Sequence, residues 1–64
     1  MYIEVFDKIT KEYIGVKNLH PSATEEEQWR AALSLAQLMG TRTHKRMRTV
    51  GEAKDALIME VKGT

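Results

Sequence analysis

The residues of this chain that are able to do chemistry are few. There are two histidines, His20 and His44, and no cysteine. Neither histidine has a carboxylate or a nucleophile at a spacing that outlines a catalytic pair, so both read as surface side chains and no catalytic residue is expected. The four glycines, Gly15, Gly40, Gly51 and Gly63, lie far apart and form no phosphate-binding loop or dinucleotide pattern. Glu25, Glu26 and Glu27 are consecutive. On a helix they splay around the axis, which suits a helix N-terminus better than a metal site. No metal and no cofactor are expected.

Two groups suit binding better than catalysis. Arg42, Lys45, Arg46 and Arg48 put four cations within seven residues, with His44 among them and no acid. The planar fork of arginine donates two parallel hydrogen bonds to a phosphate or a carboxylate. This stretch reads as a contact to nucleic acid or to an acidic protein surface, or else as a solvated loop. The second group is Tyr2, Phe6 and Tyr13 with Lys17, an aromatic set that would stack unpaired bases or dock a protein.

The elements that carry these groups follow from patterning. Residues 2–19 predict a hairpin, with strands YIEVFD and EYIGVKNL around a loop Lys8–Lys11. The register sets Phe6 opposite Tyr13, Val5 opposite Ile14 and Ile3 opposite Val16. Ile3, Val5, Ile14 and Val16 then share one face, and Tyr2, Glu4, Phe6, Tyr13 and Lys17 the other. Asp7 falls opposite Glu12, a mildly unfavourable pair. Gly15 marks a bulge or a close backbone approach. After the connector at Pro21, Thr24 and Glu27 form a capping box for a helix from about Glu25 to Met39, with Gly40 as its stop. Trp29, Ala31, Ala32, Leu33, Leu35, Ala36, Leu38 and Met39 sweep an apolar arc of ~220° on that helix, against about 100° for an ordinary surface helix. It must be covered from two sides.

Residues 41–48 carry no clear period. Residues 49–64 predict a short helix: Thr49 and Glu52 form a second capping box, Val50, Ala53, Leu57, Ile58 and Val61 share a face, and Gly63 ends it. The alternation of Leu57, Met59 and Val61 leaves a strand paired with 44–50 as the alternative. The segments LAQLMG and TVGEAKDAL around the basic stretch have the outline of a helix-turn-helix, but Arg46 stands where that motif needs an apolar residue.

At 64 residues, with 42% hydrophobic and 30% charged residues, the chain is expected to fold as one domain, residues 1–64, rather than stay disordered. The fold class is α+β: an N-terminal hairpin on a long amphipathic helix, a basic connector, and a C-terminal helix. The alternative is ββαββ with a C-terminal hairpin. No apolar run is long enough for a membrane span. MYIEVFDKI lacks the order of a secretory signal, which sets a cytoplasmic location as the expectation. With no disulfide or metal to staple so small a core, a homodimer is expected.

Net charge is +1, but residues 1–32 hold four cations against six acids and residues 33–64 six against three. That is local polarity rather than the global basicity of a strong nucleic-acid binder. The expected function is a non-catalytic regulatory or accessory protein that binds nucleic acid through residues 42–48. Its size and charge mix are those of many mobile-element, phage-like products, which is an association only. The alternative is an inhibitor or adaptor that docks on a protein through the aromatic face or the basic stretch.

Overall fold

The hairpin is closed by a side chain. In a computed structural model that describes residues 1–63, β1 (Tyr2–Asp7) and β2 (Tyr13–Asn18) are joined by residues 8–12. Asp7 Oδ1 accepts hydrogen bonds from the backbone N–H groups of Ile9 and Thr10, both at 2.8 Å, the local bonding that makes aspartate a turn former. Lys11 takes a left-handed conformation, φ 66°. Because the Asp7 carboxylate turns into the loop, the expected repulsion from Glu12 is avoided, and the two backbones bond instead at 2.9 Å.

Phe6 pairs with Tyr13 as the sequence predicts, but the register then shifts. Val5 lies opposite Gly15, Glu4 opposite Val16 and Ile3 opposite Lys17, which makes Ile14 the extra residue of a bulge. Ile14 stays buried with Ile3 and Val5. Val16 moves out of the expected core face and is half exposed, while Lys17, expected beside the aromatics, pairs with Ile3 on the helix side. The reason lies at Gly15, where a Cβ would stand 3.2 Å from the Leu35 side chain. Two successive inward residues, Ile14 and Gly15, let helix and strand approach closely.

Helix α1 (Glu25–Met39) begins at the expected box. Thr24 Oγ1 accepts from the Glu27 N–H at 3.2 Å, and Glu27 Oε1 accepts from the Thr24 N–H at 2.9 Å. Its buried centre is Ala31, Ala32 and Ala36, small side chains that bring its backbone near the sheet. Trp29, Leu33 and Leu35 pack around them. The wide apolar arc is covered by the sheet and by the helical residues Val50–Ala56, except in its last turn, where Leu38 is 72% exposed and Met39 65%.

A single turn, α2 (Arg42–Lys45), follows, and then α3 (Val50–Ala56) behind its own box of Thr49 and Glu52. The expected helix to Val61 stops at Ala56. Leu57 is extended (φ −123°, ψ 154°) and opens β3 (Leu57–Lys62) with no intervening loop. This strand does not pair with 44–50. It pairs antiparallel with β1, from Asp7–Leu57 to Tyr2–Lys62, giving the order β2-β1-β3. β1 would otherwise leave one row of backbone groups unpaired, and the pairing drives Leu57 into the core at 1% exposure. The α+β class and the hairpin-then-helix order hold.

The helices cover the sheet face of Ile3 and Val5. The other face presents Tyr2, Glu4 and Phe6, flanked by Asn18, Val16 and Tyr13 on β2 and by Lys62, Glu60 and Ile58 on β3. Glu4 and Glu60 lie opposite each other, and Lys62 Nζ bridges them at 2.6 and 3.3 Å. Glu4 first, then Glu60, hold its ammonium pKa above the ordinary value. No helix among the described residues is long and apolar enough to cross a membrane.

Leu57→Ala should cost ~2–5 kcal/mol, because it empties a buried site. At concentrations too dilute for self-association, Leu38→Ala should change stability by no more than about 0.5 kcal/mol. Urea denaturation of both variants checks the strand assignment and the exposed end of the helix together.

Candidate functional site

His44 is not the surface residue that the sequence suggests. It is 4% exposed, and both ring nitrogens are engaged. Nε2 faces Asp7 Oδ2 at 2.6 Å, and Nδ1 lies 3.0 Å from the backbone N–H of Thr41. A backbone N–H can only donate, so Nδ1 accepts and the ring proton sits on Nε2, donating to Asp7. The pair is a clamp: one carboxylate closes the hairpin turn with Oδ1 and anchors α2 with Oδ2. Gly40 makes the approach possible, since a Cβ there would stand 2.4 Å from the Cβ of His44 and 2.5 Å from the Ala36 carbonyl oxygen. The glycine read as a helix stop is also a packing requirement. Among the described residues, no three His, Cys, Asp or Glu side chains gather as a metal site.

The clamp sets how the four cations are presented. Arg42 and Lys45 are exposed, three positions apart on α2, while His44 points inward and Met47 is buried behind it. Neither Arg42 nor Lys45 has a carboxylate within ion-pair distance among the described residues. Arg48 has a folding role: its Nη1 donates to the carbonyls of Lys45 (3.1 Å) and Met47 (3.4 Å), and its backbone N–H donates to Glu52 (3.1 Å). Arg46 lines a groove between α2 and α3 with Met47, Glu52 and Asp55.

Two further lysines join this end of the molecule. The Lys8 N–H donates to the Ala56 carbonyl at 3.0 Å, and Lys8 Nζ donates to the Lys54 carbonyl at 2.7 Å, so the hairpin turn is tied to the end of α3. Sequence reasoning missed this neighbourhood because it depends on β3 pairing with β1. It missed His44 because the partner, Asp7, lies 37 residues away. One local signal was present: Thr41-x-x-His44 repeats the spacing of Thr24–Glu27 and Thr49–Glu52, with a histidine as the side chain that reaches back.

Of the aromatic set, Phe6 and Tyr13 stand at the turn end, ring centroids 5.5 Å apart and edge to face at 68°. Tyr13 also lines a small cleft with Glu12, Met39, Thr41 and His44. Tyr2 is at the far end of the sheet opposite Lys62, and Lys17 is on the helix side. The structure therefore sets Phe6 and Tyr13 at the turn end with α2, which carries Arg42 and Lys45, anchored there through His44; it turns the Arg48 guanidinium back onto the carbonyls of Lys45 and Met47, lines the α2–α3 groove with Arg46, and leaves Tyr2 and Lys17 elsewhere.

The Asp7 carboxyl is held down at about 2, first by the N–H of Thr10, then by the His44 hydrogen bond and the N–H of Ile9. Its pKa is lower in the fold than the ordinary 3.8, so its contribution to stability is complete above that value and is lost as pH falls through about 2. Asp7→Asn should lower stability at neutral pH and flatten its acid dependence in that window. A residual slope should remain from Glu27 and Glu52, whose carboxyls the backbone N–H groups of Thr24 and Arg48 also hold low. Denaturant unfolding across the acid range checks this.

No family model matches this chain, and neither a curated protein nor a solved structure matches it.

Proposed function

We propose that this protein is a non-catalytic binding module, an inhibitor or adaptor, that docks on an acidic protein surface through its hairpin-turn end. The observation that supports this reading is the mixture found there. Arg42 and Lys45 are unpaired cations among the described residues. The same end of the fold carries exposed apolar side chains: Met39 at 65% and Tyr13 at 54% line the cleft at His44, and Ile9 at 88% lies in the turn that Asp7 closes. Arginine, methionine and aromatic residues are the types enriched where proteins meet.

The nucleic-acid reading has a narrower footing. Polyanion affinity grows with the number of phosphates neutralised, and of the four exposed cations of 42–48 Arg48 already donates to the carbonyls of Lys45 and Met47 while Arg46 lines a groove with Glu52 and Asp55. Glu4 and Glu60 lie on the aromatic sheet face, and Phe6 and Tyr13 meet edge to face rather than as two open planes for bases. Self-association is an accompanying proposal, resting on the exposed Leu38 and Met39.

Capture from host lysate should survive nuclease treatment. Arg42→Gln with Lys45→Gln should leave stability within about 0.5 kcal/mol of the parent. It should slow association with the captured partner and make the rate less sensitive to salt, because exposed charges steer encounter. Capture that nuclease abolishes returns the assignment to nucleic acid, and an unchanged association rate removes α2 from the surface. Sedimentation at tens of micromolar should show a dimer, and a monomer there ends the self-association proposal.

A further inference from the structure

The hydrogen-bond pattern of His44 has room for only one ring proton. Nε2–H donates to Asp7 and Nδ1 accepts the Thr41 N–H, so a second proton would set an Nδ1–H against a backbone N–H at 3.0 Å. The ring is buried, and an unmatched pair of donors there is costly. One acceptor is at hand, because Thr41 Oγ1 lies 3.2 Å from Nδ1.

We propose that His44 makes the α2 corner proton-sensitive: on taking up a second proton the ring keeps Asp7, exchanges the Thr41 N–H for the Thr41 hydroxyl, and moves Arg42 and Lys45 relative to the hairpin. The groups facing the ring come from every element around it. Asp7 on β1 and Glu12 beside β2 favour the added charge. The burial of the ring opposes it, as do Arg42 and Lys45 from the outer side of α2. Tyr13 lines the same cleft, and α1 contributes only Met39, with Gly40 after it, neither ionisable. Movement has to pass through Gly40, which already leaves no room for a side chain beside Nδ1. Only the consequence for partner binding rests on the docking function proposed above; the exchange of hydrogen bonds stands without it.

The test is an NMR titration of the nitrogen-labelled protein from about pH 8 to about pH 4, a span that covers the ordinary histidine range. At the alkaline end, the ring shifts of His44 should show a bare Nδ1 and a protonated Nε2. On acidification the Thr41 amide should shift with the same midpoint as the His44 ring, and its hydrogen exchange should accelerate, while the Val5 amide in the central strand stays protected. The exposed His20 serves as the internal control. In His44→Gln, whose amide does not titrate, that midpoint should vanish from Thr41. A proton on Nδ1 at the alkaline end, a ring that titrates while Thr41 stays still, or a ring that does not titrate by about pH 4 overturns the proposal. If the exchange is seen but affinity for the captured partner is flat across the midpoint, the switch stands and the docking surface lies elsewhere.

Discussion

Both oxygens of the Asp7 carboxylate are committed, and the rest of the molecule is arranged around that fact. One oxygen closes the turn after the central strand, and the other receives the buried imidazole of His44. Between them they join three stretches that the chain keeps far apart: the hairpin, the turn of helix at Arg42–Lys45, and, through Lys8, the end of α3. A helix of one turn has no stability of its own. α2 exists because His44 is pinned from both sides and Met47 is buried behind it. The outward aim of Arg42 and Lys45 is thus set by a bond made on the other side of the helix.

A core of this size has little to spare, and the chain compensates at its helix ends. Each helix is preceded by a threonine, and the side chain three places on reaches back to that threonine's N–H: Glu27, His44 and Glu52. Hydrogen bonds of this kind contribute about a kcal/mol each. They add stability without adding volume. The alanine centre of α1 follows the same economy, since close approach of backbone to sheet buries area that larger side chains would otherwise have to supply.

What could be read from the sequence was whatever depends on neighbours along the chain. The Phe6–Tyr13 pairing, the limits of α1, its cap and its stop at Gly40 all rest on signals within a few residues. The bulge at Ile14 was half legible: Gly15 advertised it, but the direction of the slip depends on Leu35 arriving from another element. Residues 57–62 alternate clearly, yet the strand they join lies at the other end of the sequence, and helix formers just before them extend the helical pattern too far. At the candidate site the concentration of cations was visible, but which of these exposed side chains have partners within the fold was not. Arg48 is spent on carbonyls of its own loop and Arg46 on a groove with Glu52 and Asp55.

The central strand has one neighbour that follows it at once and another that the chain reaches only at β3. Until Leu57–Lys62 docks, one edge of β1 stands open. The β1–β3 ladder closes a longer loop than the hairpin and so carries the larger entropic cost. An open edge awaiting a strand can also accept the same strand from another molecule, in competition with its own tethered copy. At high concentration that edge is where two chains would exchange strands, and the time β3 takes to dock sets how long the exchange stays possible.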